Sequence, residues 1–253
     1  MYSVRARPPP SVPLPDPAAT PAPAPAPASA PTRRRPEAAV YAIPLTEDAE
    51  LRPLEPWQAA EFLSHMDRAR DGIDPWIPWA TRSTDLDSAR ATLQSYADRQ
   101  AADSGRIFGI WLDGTLVGGA MFVRFDAKAG TCEIGVWSEP AGGGRGLVGA
   151  AVRHLIDYAL VERGLHRVEW WNSTVNARSR AVAQRMGMRL DGVMREFTLH
   201  NGVRLDYEVW SLLAREWHPA DRTAAGDVAG DPGGGAADDP AGGDAAGDDH
   251  GPG

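Results

Sequence analysis

The chain has 253 residues, but 12 of its 22 prolines fall within residues 1–40 and 10 of its 27 glycines fall after His218. Composition therefore predicts one globular domain over residues 41–217, between a disordered Pro/Ala-rich N-terminal tail (1–40) and a disordered acidic Gly/Ala/Asp-rich tail (218–253). The single cysteine, Cys132, excludes an internal disulfide and a cysteine-rich metal site, while the net charge of −8 splits into +3 at the start, −7 at the end and −4 between, a balance that argues against a nucleic-acid face. No signal-peptide pattern and no run approaching 18 apolar residues is present, so the expectation is a cytoplasmic protein with no membrane partner.

In chain order, Leu51-Arg-Pro-Leu54 reads as a short strand, and Pro56 opens a helix at its first position. Thr84 or Asp85 caps a second helix running to about Ala102, with Ala89, Leu93 and Tyr96 on one stripe. Arg106–Leu112 and Thr115–Val123 flank Asp113-Gly114, a dipeptide suited to a type I′ turn, and Thr131–Trp137 follows as a third antiparallel strand. From Leu147 to Leu160 apolar residues recur at helical spacing, and Gly164 supplies a stop. His166–Trp171 is then a strand parallel to Thr131–Trp137, joined by a right-handed crossover. Asn176 caps a further helix to Met186, and Arg189–Leu199 pairs with Val203–Leu213 in a closing hairpin.

Ser138-Glu-Pro-Ala-Gly-Gly-Gly-Arg-Gly146 joins a strand directly to a helix start. Unpaired N–H groups and the positive dipole end make such a position an anion site, glycines let a ligand approach the backbone, and Arg145 adds charge. No G-x-x-x-x-G-K-[ST] pattern occurs. Gly144-x-Gly146-x-x-Gly149, with Glu169 20 residues beyond, satisfies a dinucleotide-binding fingerprint, but the antiparallel hairpins before and after it do not fit a doubly wound fold, and Glu169 lies inside its strand.

Together, Cys132-Glu-Ile-Gly-Val-Trp137, Gly143-Gly-Arg-Gly-Leu-Val148, Asn176-Ala-Arg-Ser179, Met186-Gly-Met188 and Asn201-Gly-Val-Arg-Leu-Asp206 resemble, in order and spacing, the GNAT superfamily of acyl-coenzyme A-dependent N-acetyltransferases. The closer likeness is to its branch that acetylates ribosomal protein N-termini, and it runs from about Leu51 to Trp217. The resemblance implies an α/β (α+β) fold: a mixed, mostly antiparallel sheet with a central parallel strand pair, flanked by helices. It implies acetyl-CoA as cosubstrate, its pyrophosphate on Gly143, Gly144, Arg145, Gly146, Leu147 and Val148, and its pantetheine arm between the splayed parallel strands beside Ile134, Val136 and Trp137. The chain departs from the family's Q/R-x-x-G-x-G/A pattern at Gly143, where Gln or Arg is usual, and at Val148, where a small residue is.

Acetyl transfer requires a neutral amine, a polarised thioester carbonyl and a protonated leaving thiolate. By resemblance Glu133 is the carboxylate that deprotonates the amine, and Ser179 protonates the thiolate in place of the family's usual Tyr, whose position here is Ala183. Asn176 caps its helix and touches the pantetheine by the same likeness. Asp206 and Glu208, on one face of the last strand, and Trp57, Trp76 and Trp79 are candidate acceptor-binding residues, each with a plain structural alternative on a polar face or in the core. His65, His154, His166 and His200 show no metal-ligand spacing, so no metal is expected. The acceptor expected is an amine, a protein N-terminus foremost. A polyamine, an aminoglycoside, succinyl transfer and a non-catalytic acyl-CoA module are the alternatives, and a homodimer is implied by resemblance alone.

Overall fold

The computed structural model describes residues 41–76 and 82–218; both predicted tails and Trp79 lie outside the described residues. A two-residue strand β1 (Ile43–Pro44), which the sequence did not signal, pairs with β2 (Ala49–Pro53). Pro56 opens a short 3-10 turn rather than the helix proper, and α1 follows over Ala59–Ile73. Helix α2 (Leu86–Ala101) starts on Asp85, whose carboxylate accepts from the Ser88 N–H at 2.8 Å.

Strands β3 (Arg106–Leu112) and β4 (Thr115–Asp126) turn at Asp113 and Gly114, both at positive φ (47° and 76°), as the dipeptide predicts. Strand β5 (Thr131–Ser138) leads through the glycine loop into α3 (Leu147–Asp157). The predicted continuous helix to Leu160 instead loosens into a π turn over Tyr158–Glu162, closed by an Arg163 N–H bond to the Tyr158 carbonyl at 2.9 Å. The wider turn keeps Ala159 and Leu160 buried while the Arg163 guanidinium binds the Tyr158 hydroxyl at 3.0 Å. Strand β6 (Arg167–Ser173), helix α4 (Ala177–Arg185) and the hairpin β7 (Arg189–His200) and β8 (Val203–Leu213) complete the chain.

Among the described residues, eight strands form one sheet in the order β1-β2-β3-β4-β5-β6-β8-β7, antiparallel except for the β5–β6 pair. One face packs α1 and α2, with Phe62, Met66 and Leu93 against Ile107, Met121 and Trp137. The other packs α3 and α4, with Val152, Leu155 and Ile156 against Phe122, Ile134, Val168 and Trp170. Helices cover both faces, so the central strands are apolar on both sides, and β4 reads as a buried run from Leu116 to Phe122. Close approach fixes the small residues there: a Cβ on Gly119 would meet the Trp137 ring at 2.1 Å and the Phe108 carbonyl at 2.4 Å.

Candidate active site

The parallel ladder between β5 and β6 holds for only three residue pairs, ending at Glu133–Glu169. Beyond that point β5 stays paired to β4 and β6 stays paired to β8, so the two strands diverge and open a cleft through the sheet. Ile134, Gly135 and Val136 line it from β5, Trp170 to Ser173 from β6, and Asn176 and Ser179 from the start of α4. A peptide-like ligand entering there meets strand edges whose backbone polar groups have no ladder partner across the gap.

Asn176 caps α4 as the sequence predicts, its side-chain oxygen accepting from the Ser179 N–H at 3.0 Å. The Ser179 hydroxyl oxygen in turn accepts from the Trp170 indole N–H at 2.9 Å. Because that bond uses a lone pair, the hydroxyl proton is left to donate into the cleft. Ala183, one turn further on, is fully buried in the core, so Ser179 occupies the cleft edge of this helix and position 183 does not.

Glu133 sits at the fork itself, on the α1/α2 side of the sheet, half-buried rather than facing solvent. Burial pushes its carboxyl above the usual range; the neighbouring Arg124 guanidinium counters that shift and the Glu169 carboxylate adds to it. Arg124 is committed elsewhere, donating to Glu169 at 2.7 Å. Glu169 also accepts from Arg167 at 2.8 Å, so it is a strand ion-pair residue and not a free ribose-binding acid.

The glycine loop enters α3 through Gly144 and Gly146, both in the left-handed region (φ 72° and 71°), and nothing lies within 4 Å of where a Cβ would stand on either. Gly143 is different: its φ of −76° is ordinary, but a Cβ would crowd the Pro140 carbonyl at 3.1 Å. The loop thus leaves open space above the first turn of α3, where Leu147 is buried and Val148 half-buried and where helix geometry leaves N–H groups unpaired. Arg145 departs from its expected place at an anion site: its guanidinium is held by Asp48 at 2.6 Å on the surface.

The loop is braced from below by a buried group that sequence reasoning passed over. Glu139 is buried and binds Arg68 of α1 at 3.1 Å. His65, wholly buried on the same helix, accepts the Trp137 indole N–H at 2.9 Å, and its Nδ1 lies 3.5 Å from Glu139. Burial, then the Arg68 charge, lowers the His65 imidazole to about 4. Its spacing from Arg68, three residues along one helix, was the only signal in the sequence.

Other candidates resolve differently. Glu208 is buried, not part of a polar outer face: it holds Arg180 of α4 at 2.6 Å and accepts from Asn172 and Trp210 at 3.0 Å each, so it is structural. Burial would raise its carboxyl, but those bonds outweigh burial and hold it below the usual range. Asp206 accepts from the Glu196 N–H at 2.7 Å. Trp76 lines the cleft, whereas Trp57 is exposed at the start of the helical region and does not. Cys132 is buried in its strand, and burial pushes its thiol to about 12, which removes it as a nucleophile. Among the described residues no group of three His, Cys, Asp or Glu side chains is placed to hold a metal, and no helix is long and apolar enough to cross a membrane.

Comparison with known proteins fits this geometry. The Bacillus subtilis (strain 168) protein named "Putative ribosomal N-acetyltransferase YdaF" is 32% identical over 179 residues, covering 70% of this chain and 98% of the relative. Among solved structures, RimL, a ribosomal L7/L12 alpha-N-protein acetyltransferase in complex with coenzyme A, superposes with a TM-score of 0.65 at 18% identity, covering 68% of this chain and 97% of its own. Mycobacterium smegmatis RimJ in complex with a CoA-disulfide gives 0.61 at 24% identity, covering 66% and 83%. The acetyltransferase (GNAT) domain family matches residues 49–189, which span the forked strands, the glycine loop and both site helices. The chain therefore belongs to the GNAT family and is an N-acetyltransferase.

Proposed function

We propose that this enzyme transfers an acetyl group from acetyl-CoA directly to the α-amine of a protein N-terminus, a ribosomal protein in the first instance, in the cytoplasm. The observation that carries this reading is the fork after Glu133, with Ser179 on one side of the opening and Glu133 on the other. The cleft fits an extended amide-bearing arm, because Ile134 to Val136 offer backbone on one wall and Asn176 closes the other. Gly146 and the first turn of α3 at Leu147 and Val148 offer amides to a pyrophosphate, while Gly143, whose N–H is held by the Pro140 carbonyl at 3.0 Å, and Gly144 shape the open loop around it. Arg145 joins that site once it exchanges Asp48 for phosphate, two exposed partners whose pairing is readily given up.

In this scheme Glu133, its basicity raised by burial, takes the proton of the incoming ammonium, directly or through water. The neutral amine attacks the thioester carbon, and the tetrahedral intermediate collapses as the C–S bond breaks. Ser179 gives its hydroxyl proton to the departing sulfur and recovers one from the nitrogen of the collapsing intermediate, directly or through water, while the Trp170 indole holds the oxygen in position. No enzyme nucleophile is required. The domain doing this work comprises residues 41–217, and relatives in the RimL and RimJ group make a ribosomal N-terminus the first acceptor to try. Any pairing of two copies is a separate question for sedimentation.

Calorimetric titration with acetyl-CoA, succinyl-CoA and NAD tests the donor. Micromolar binding of acetyl-CoA without a response to NAD is expected. Tighter succinyl-CoA binding would move the donor assignment to the longer acyl group, and binding of NAD alone would overturn the reading of the glycine loop.

A further inference from the structure

The acceptor side of the cleft is apolar, with three aromatic rings, Trp76, Trp171 and Tyr207, beside Pro75 and Leu205. Among the described residues, the cleft lining carries no charged side chain. Pro75 and Trp76, just after α1, form one wall, and Trp171, Leu205 and Tyr207 form the other. The two walls are tied together by His200 at the tip of the β7–β8 hairpin, whose Nε2 lies 2.6 Å from the Asp74 carbonyl.

Strand β7 contributes through an irregularity. Met194 pairs with Tyr207 and Thr198 with Leu205, so three residues of β7 lie opposite Asp206 alone. Glu196 takes a positive φ of 51°, a conformation unfavourable for a residue with a Cβ, and the Asp206 carboxylate holds it there by accepting its N–H. The product of this bulge is the placement of Phe197. Its ring lies 5.4 Å from Trp171 and 5.7 Å from Tyr207, both lining the cleft, while 46% of the residue remains exposed. A regular strand would need neither the strained residue nor the carboxylate that pins it, and the outcome is an aromatic ring held half in water beside the cleft.

We infer that the Glu196 bulge presents Phe197 as the specificity-determining wall of the acceptor groove, selecting an amine that carries an apolar side chain beside it, N-terminal methionine above all. An unbranched thioether side chain packs well on such rings. A polycationic acceptor such as a polyamine would instead need several carboxylates along the groove, and beside Glu133 at the fork the described lining offers none. This inference rests on the α-amine reading above and narrows it.

The test is steady-state acetylation by the full chain of peptides identical except for a first residue of Met, Ser or Asp, with spermidine alongside. The wild type is expected to favour the Met peptide over the Ser peptide by roughly tenfold or more in kcat/KM, in the range that apolar pockets achieve. Phe197→Ala, at a half-exposed position, should fold with little loss of melting temperature, lose most of that preference, and leave the KM for acetyl-CoA unchanged. Phe197→Tyr should retain the preference, and Asp206→Ala, by releasing the bulge, should lose it. An unchanged Met-to-Ser ratio in Phe197→Ala, or a wild type preferring spermidine or the Asp peptide, overturns the inference while leaving acetyl transfer intact. A wild type that binds acetyl-CoA but acetylates no peptide sinks the α-amine reading and this one with it.

Discussion

His65 makes the brace under the glycine loop sensitive to acid, and the size of the effect follows from its surroundings. The ring is fully buried, and its Nε2 accepts the Trp137 indole N–H. The neutral ring therefore carries its proton on Nδ1, and protonation would set a second donor against the indole in a buried site. With the folded-state value near 4 against 6.5 for an unhindered imidazole, the unfolded chain binds a proton over a pH range in which the folded chain does not. The stabilising contribution is thus complete above about pH 6.5 and is lost as pH falls from there toward 4. The span is worth about 3 kcal/mol at 1.36 kcal/mol per pH unit, less what Glu139 returns by attracting the charged ring. Urea unfolding at half-unit steps from pH 7.5 to 4 should show this slope, and His65→Gln, which can still accept from the indole, should flatten it. Acetyl-CoA affinity of the folded chain should hold over that range and fall only as pH nears 4, where the folded ring itself takes the proton and loosens Trp137 and Glu139 under the loop. An imidazole resonance titrating near pH 6.5, or an equal slope in His65→Gln, would refute the argument.

At the fork, Glu133→Gln should lower kcat by about 10²- to 10⁴-fold and abolish the acid limb of the pH–rate profile, which in the wild type lies above the usual carboxylate range because burial raises this group; rate measurements from pH 5 to 9 decide it. Ser179→Ala should lower kcat without raising the KM for acetyl-CoA, and a thioester donor with a more acidic thiol should recover part of the loss; equal losses with both donors would remove the serine as the acid. Gly119→Ala places a methyl inside the Trp137 ring and the Phe108 carbonyl, so a loss of about 2 kcal/mol or more is expected, read as a drop in melting temperature. Hydrogen exchange at Ile134 and Val136 should slow on adding coenzyme A while that of Cys132, already inside the ladder, should not change.

The hairpin at Asp113-Gly114, the parallel crossover and the Asn176 cap were legible because each depends on a local pattern: a turn dipeptide, a helical stripe, a side chain reaching three residues ahead. The length of the parallel ladder was not, since nothing local in Cys132–Trp137 says that pairing stops at Glu133. Arg145 was assigned by its place in the loop, but Asp48, 97 positions away, captures it. Glu208 looked like a surface acid by strand alternation and is buried because α4 brings Arg180 over that face. His65 carried no motif, and its role emerges only when α1 meets β5. In each case the missing information was a partner distant in sequence, which periodicity cannot supply.

Under the proposed mechanism, the fork also accounts for the two halves of the reaction lying on opposite faces of one sheet. Ser179 belongs to α4, packed on the same side as α3 and the glycine loop, so the proposed proton donor shares a face with the proposed coenzyme site. Glu133 projects to the side of α1 and α2, where Trp76, Trp171 and Tyr207 line the acceptor approach. A continuous ladder would wall these sides off from each other, because a paired strand edge is closed to ligand. Ending the ladder at Glu133–Glu169 leaves backbone groups unpaired, a cost that the sheet tolerates because β4 and β8 hold each strand from its other edge. In the proposed scheme Glu133 stands at the last paired residue and Ser179 across the gap from the next ones, so amine and thioester would meet in the opening between them.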